Sequence, residues 1–342
     1  MIVLYILIAI FVFGFLIFIH ELGHFMFAKK FGVAISEFSL GMGPAIFSKT
    51  GKDGIKYSLR LLPIGGYVAM EGEDEDSDDP NAFNKKPAWQ RFIIVIAGAM
   101  MNLLVGIIIM FVLTLCTPRF GGTTVAEFMP NSTSNNYGIE VNDKIIEVDG
   151  VSVHTANDLS YEIMRSGYEP IDIRLIRNGK EITISGVEFP HAISQGITFG
   201  SMDFKIYEEE KTFITVIKNA FYSTTSTVKM IWDSLYDLIT GRYGVEAVSG
   251  PIGVTGAITD AAKTSTYSLF YLIVVISINL GVFNLIPFPA LDGGTLLFLI
   301  IEMITKKPIP KRIEYGLKFV GFALLMLLVI FVSFKDILGL FK

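Results

Sequence analysis

The sequence predicts a polytopic α-helical membrane protein with four transmembrane helices, a cytoplasmic-side membrane-associated β-hairpin and an extracytoplasmic mixed α/β domain. Three observations carry this reading. The 342 residues are 51% hydrophobic and only 18% charged, with a mean hydropathy of +0.54, whereas soluble domains hold about 25% charged residues. Four apolar runs approach or exceed the ~20 helical residues that a bilayer core requires. Between the second and third runs lies a long stretch in which short alternating segments are broken by turns. A net charge of −5 gives no basic footprint, which excludes a nucleic-acid partner. The single cysteine, Cys116, can form neither an intramolecular disulfide nor a cysteine-rich zinc cluster.

The first span covers residues 1–28, with no charge before His20. A cleaved signal peptide would need a basic start and a small-residue cleavage site. No Lys or Arg precedes Lys29 and no such site follows, so the helix is expected to be retained. The second span covers 91–117, with no charge from Phe92 to Thr117. The third covers 264–291, and the fourth 313–338, around the apolar run Phe319 to Phe334. Basic residues crowd the segment between spans one and two (Lys29, Lys30, Lys49, Lys52, Lys56, Arg60) and the one before span four (Lys306, Lys307, Lys311, Arg312, Lys318). Positive charge in short loops marks the cytoplasm. The N-terminus and the long insert are therefore expected outside a plasma membrane, in a multi-pass arrangement.

Residues 34–70 read as a β-hairpin with a turn at Thr50 to Gly54, and Gly41, Gly43, Gly65 and Gly66 permit close backbone approach. An acidic linker, 71–80, follows. It lacks the glycine and terminal glutamate of a calcium loop and reads as a solvated charge run. Residues 118–190 form a small mixed module, with Asn178-Gly179 as a hairpin turn between alternating runs. Residues 191–263 read as an amphipathic helical region: Phe213, Ile217, Ala220, Val228, Ile231 and Leu235 recur at near-helical spacing. One long helix or two short ones fit this pattern. Lys218, Lys229 and Asp233 make a surface location better than a span.

Span one carries His20-Glu21-Leu22-Gly23-His24. Positions i and i+4 share a helix face, so both imidazoles can meet one ion. Glu21 is turned about 100° from His20, which lets it take a proton near the metal without being a ligand. The competing reading is a chance match at a membrane interface. Against it stands the cost of ionisable groups in apolar surroundings, about 2.5 to 3.5 kcal/mol or more for each charge.

A catalytic zinc ion takes three protein ligands and keeps a fourth position open. Asp292 follows the uncharged run 264–291 directly. His20 lies ~28 Å from the outer end of span one at 1.5 Å per residue, and span three delivers Asp292 to a similar depth. Asp292 is thus the third-ligand candidate; a helix cap or turn residue before Gly293-Gly294 is the alternative. Pro287 and Pro289 break the helix just before it, which at membrane depth demands a backbone buried in protein or lining a wet cavity. Asn102, Asn279 and Asn284 are polar groups able to bond a substrate backbone, or to act as interhelical glue.

With these residues on the page, the chain resembles the site-2 protease family of intramembrane zinc metalloproteases, most closely its RseP-type bacterial branch. The resemblance runs essentially end to end through HELGH at 20–24, GAMMN at 98–102, SGPIGV at 249–254 and NLIPFPALDGG at 284–294. It implies that His20, His24 and Asp292 bind Zn2+, that Glu21 is the catalytic base, and that Asn284 and Asn102 contribute to substrate binding. The segment GIEVNDKIIEVDGVSV at 138–153 is similar to a PDZ domain, with Asn142 where glycine is usual. That likeness implies a single PDZ-like domain able to take a peptide terminus by strand addition and to exclude intact ectodomains. The 34–70 hairpin is implied to pair with substrate.

The expected activity is zinc-dependent endopeptidase cleavage of single-span membrane proteins within or near their transmembrane segment. Pre-trimmed anti-sigma factors and remnant signal peptides are the implied substrates, and the lipid bilayer is the other partner. A metal-binding transport protein using the same His pair and a non-catalytic PDZ scaffold are the competing classes. Transporters show internal repeats and further intramembrane acids along a path, and the sequence shows neither.

Overall fold

The computed structural model describes all residues except 1, 74, 76, 195, 196, 243, 245–247 and 340–342. Residues 1–106 with 248–342 form one compact unit, and 107–247 form another.

The first unit is built on helices α1 (Ile2–Lys30), α2 (Ala88–Cys116, whose last turns pass into the second unit), α5 (Pro251–Thr264), α6 (Thr266–Leu285), α7 (Asp292–Thr305) and α8 (Lys311–Gly339). Among the described residues, four segments are long and apolar enough to cross a membrane: Ile6–Lys30, Ala88–Cys116, Thr266–Leu285 and Lys311–Leu338. Helices that are apolar on every side, such as α1 and α6, have no polar face to offer water. Phe11 and Phe319 are each 73% exposed, as side chains facing lipid would be. Small residues let these helices close on one another. A Cβ at Gly23 of α1 would overlap the Ala97 carbonyl of α2, and one at Gly281 of α6 would stand 2.8 Å from Leu103 and 3.0 Å from the Ala99 oxygen of α2.

The third span is shorter than the sequence suggests. Helix α6 ends at Leu285, because Pro287 and Pro289 supply no N–H donor and hold the chain extended. A new helix, α7, starts at Asp292, with Leu291 at its N-cap. Its 14 residues, bounded by Asp292 and Thr305, lie between the spans read from sequence at 264–291 and 313–338. Helix α5 is likewise distinct from α6; the Asp336 carboxylate of α8 accepts from the Gly250 and Gly253 amides at its start, both at 2.9 Å.

Strands β1 (Ile35–Thr50) and β2 (Lys56–Met70) form the expected hairpin, but it is folded back on itself. Glu37–Leu40 have partners in both Gly66–Ala69 and Lys56–Leu59, while Phe47–Thr50 pair with Lys56–Leu59. Left-handed backbone at Gly41 (φ 87°) and Gly43 (φ 83°), with Pro44 beside them, turns β1 midway. Val68 and Met70 of β2 join Phe38, Ala28, Ile94, Leu296 and Leu299 in one buried cluster, which ties the hairpin to α1, α2 and α7. The backbone at both ends of the acidic linker is tied too, by Phe83 N–H to the Glu71 oxygen and Ala82 N–H to the Asp79 oxygen. Its residues 74 and 76 lie outside the described residues.

The second unit holds β3 (Phe120–Phe128), β4 (Lys144–Val148), β5 (Val151–Ser152), α3 (Ala156–Ser166), β6 (Ile171–Arg177), β7 (Lys180–Val187), β8 (His191–Ser194), β9 (Ile197–Gly200), β10 (Phe204–Glu209) and α4 (Phe213–Ile239). The main sheet runs β10-β3-β4-β6-β7, with β5 beside β4. Asn178 and Gly179 both take positive φ (52° and 76°) between β6 and β7, as a tight hairpin turn requires. Reading 191–263 as wholly helical is corrected over 191–209. His191–Ser194, Ile197–Gly200 and Phe204–Glu209 are strands, and Phe204 of β10 is fully buried in the core with Ile145, Leu159, Ile163 and Ile173. The short alternation Phe204, Ile206 was too brief to weigh against the helical stripe after it. Helix α4 is a single helix. It is held to α3 by Lys229 to Glu162 (2.8 Å) and Arg165 to Asp237 (3.0 Å), while Phe213, Ile214, Phe221 and Ile239 are exposed.

Candidate metal centre

Helix α1 delivers His20 and His24 one turn apart, so both rings project from one face. Their Nε2 atoms stand 3.1 Å apart. Asp292, the first residue of α7, meets them there: its Oδ2 lies 3.1 Å from Nε2 of His20 and 3.3 Å from Nε2 of His24. The break at 286–291 makes this possible. It starts α7 at the depth of the His pair, so the carboxylate enters from the helix N-terminus, where negative charge is favoured. The Asp292 side chain makes no N-cap bond; the position before it, Leu291, is the cap.

Three heteroatoms with edges of 3.1, 3.1 and 3.3 Å form one face of a small tetrahedron. Metal–ligand bonds of about 2.0–2.1 Å in tetrahedral zinc imply ligand–ligand edges of about 3.3 Å, so the triangle has the size that a zinc ion takes. The Asp292 Oδ2 atom is buried and has no hydrogen-bond partner among the described residues. A buried carboxylate oxygen without a donor is costly, and a cation at the centre of the triangle removes that cost. His20, His24 and Asp292 are the group of potential metal ligands that stands together among the described residues.

Helix α2 forms the wall behind the imidazoles. His24 Nδ1 is 2.9 Å from the Ile94 carbonyl. One turn on, a Cβ at Gly98 would overlap Nε2 of His24 and stand 2.8 Å from Cε1 of His20, so the rings occupy space that any other residue would fill. One further turn brings Asn102, which is 1% exposed, with its amide 3.5 Å from Nδ1 of His20. Strand β2 borders the other side: a Cβ at Gly66 would lie 3.1 Å from Cγ of Glu21. Glu21 therefore sits between the ligand face of α1 and the hairpin backbone.

The structure thus brings His20, His24, Asp292 and Asn102 together and puts Glu21 beside them. Asn284 is half-buried in the last turn of α6 and no hydrogen bond joins it to the cluster among the described residues. Sequence reasoning missed Gly98 and the Ile94 carbonyl. For Gly98 the available signal was its place one turn before Asn102, since residues four apart on α2 share a face; a backbone carbonyl gives none.

Two imidazoles and a carboxylate that meet within 3.3 Å, with a glutamate beside the first imidazole, are a donor set suited to a metal ion and to metallopeptidase chemistry. The chain belongs to peptidase family M50, whose profile matches residues 8–328. It is 36% identical over 337 residues to a Clostridium perfringens protein provisionally named zinc metalloprotease, covering 98% of this chain and 99% of that one. It is 38% identical over 337 residues to a similarly named protein of Clostridium acetobutylicum, covering 97% of each. The regulator of sigma-W protease RasP of Bacillus subtilis is 29% identical over 420 residues, covering 97% of this chain and 98% of the relative. The protein is a multi-pass membrane metalloprotease with zinc as its cofactor.

Proposed function

We propose that the chain is an intramembrane endopeptidase that cleaves single-span membrane proteins within or near their transmembrane segment, with His20, His24 and Asp292 holding zinc and Glu21 as the base. The observation that carries this is the triangle of His20 Nε2, His24 Nε2 and Asp292 Oδ2, whose two imidazoles stand on a helix apolar enough to span a bilayer. When bound, zinc supplies an acidified water and polarises a carbonyl. The Glu21 carboxylate accepts the proton of the attacking water and passes it to the leaving amide nitrogen. Its position beside, and not within, the ligand triangle leaves its carboxylate available for that transfer.

A transmembrane helix hides its amides in i to i−4 hydrogen bonds, so the substrate must unwind before attack. The β1–β2 hairpin supports a route for this, because extended backbone can add to a strand edge and β2 runs past Glu21 at Gly66. Asn284 is assigned to hold substrate on the strength of the family resemblance. The Bacillus relative's name ties that protein to sigma-W regulation, which favours an anti-sigma factor trimmed outside the membrane as the substrate class, with remnant signal peptides the other. The basic loops support an orientation with the N-terminus and the 118–263 stretch outside and the active site toward the cytoplasm. Residues 118–190, assigned as a single PDZ-like domain, supply β3, β4, β6 and β7 of the main sheet together with α3. Asn142 takes a left-handed φ of 77° where the PDZ pattern uses glycine.

The test is Glu21→Gln in purified protein with a model single-span substrate. The variant is expected to retain zinc and lose cleavage. Cleavage at the wild-type rate overturns the assignment of Glu21. Metal flux without proteolysis favours a transporter, and a wild-type protein without zinc favours a scaffold.

A further inference from the structure

Metal coordination through Nε2 requires its lone pair, which leaves the proton of each neutral imidazole on Nδ1. That N–H must then find an acceptor, and the acceptor fixes the tautomer and the ring's orientation. For His24 the acceptor is the Ile94 carbonyl at 2.9 Å. For His20 the group that faces Nδ1 is the Asn102 amide, with its NH2 3.5 Å from the ring nitrogen. In that orientation the Asn102 Oδ1 atom is buried without a partner among the described residues. The oxygen and nitrogen of an amide are interchangeable by a half-turn, and the hydrogen-bond network decides between them. Turning the amide places Oδ1 opposite the Nδ1–H of His20 and removes the orphaned acceptor. Ser277 Oγ of α6 donates to the Asn102 backbone oxygen at 2.8 Å, which pins this turn of α2 in place.

We infer that Asn102 is a positioning residue, whose side-chain oxygen accepts from Nδ1–H of His20 and holds that imidazole with Nε2 aimed at the metal. It works as the counterpart of the Ile94 carbonyl on His24. Gly98, midway between them, leaves room for the two rings to lie against α2. Asn102 then serves the imidazole and not the substrate, which fits its 1% exposure. The inference rests on the zinc reading of His20, His24 and Asp292.

The experiment measures zinc affinity by chelator competition in the detergent-purified full chain, for wild type, Asn102→Leu and Asn102→Asp. Asn102→Leu keeps the shape but removes the acceptor, and is expected to lower affinity about 10- to 100-fold, the usual cost of losing such a partner. Asn102→Asp keeps an acceptor and removes the amide donors, and is expected to bind at least as tightly as wild type. A loss in Asn102→Asp as large as in Asn102→Leu overturns the inference, since it makes the amide N–H the essential group. Wild-type affinity in Asn102→Leu overturns it as well. A wild-type protein that binds no zinc would instead remove the underlying metal reading, so the two failures are distinguishable.

Discussion

A Cβ atom added at Gly98 would overlap Nε2 of His24 and stand 2.8 Å from Cε1 of His20. Absence of a side chain on α2 is therefore as much a part of the centre as the two rings on α1. Gly98→Ala must push α2 away or twist the imidazoles. Overpacking of this kind costs about 1–3 kcal/mol, and displaced reacting groups cost activity on the order of 100-fold. The expected outcome is loss of both zinc and cleavage, read by elemental analysis and a model-substrate assay. Normal zinc content in Gly98→Ala contradicts it.

Gly66→Ala separates the base from the metal. The added methyl would stand 3.1 Å from Cγ of Glu21 and 3.0 Å from the Ser39 oxygen, with no contact to the ligand triangle. Cleavage is expected to fall roughly 10- to 100-fold while zinc content stays at the wild-type value.

Much of this was legible in the sequence, and the reasons differ by element. The spans were readable because α1, α2, α6 and α8 are apolar over their length, which leaves no competing assignment. The pair His20 and His24 was readable because i, i+4 spacing has one geometric meaning on a helix. Asp292 was accessible only by elimination, since acids near the remaining spans are few. The Ile94 carbonyl could not be read at all: a backbone acceptor leaves no mark on residue type. Helix α7 was hidden because, at 14 residues, it is too short to read as a span. The return of β1 and β2 on themselves was hidden because register depends on bulges at Gly41 to Gly43, which alternation alone does not encode.

Phe204 tests the extent of the second unit. It is fully buried in the core that holds Ile145 and Leu159, yet it belongs to β10, beyond the point where sequence alone ends the module. Phe204→Ala is expected to destabilise that unit by about 3–5 kcal/mol, while Tyr207→Ala, at an exposed position, stays within about 0.5 kcal/mol of wild type. Thermal melts of the full chain check both.

Glu37 gives a pH dependence of known sign. Burial pushes its carboxyl up, but polar neighbours, the Arg60 guanidinium among them, outweigh it and bring the pKa from 4.5 to about 2. The Arg60 guanidinium donates to it at 2.7 Å. A depressed carboxylate stabilises the fold fully above its unfolded pKa and loses that contribution as pH falls through the folded one. The melting difference between wild type and Glu37→Gln is therefore expected to hold steady down to about pH 4.5 and to close toward pH 2. A gap that widens on acidification contradicts this.

The most direct measurement is the zinc-to-protein ratio of wild type and Asp292→Ala, determined side by side on chains purified in the same detergent. The triangle of His20, His24 and Asp292 predicts about one zinc per chain in wild type, from its single set of three ligands, and loss of that zinc in Asp292→Ala together with cleavage. Equal zinc in the two proteins, or none in wild type, would contradict the account.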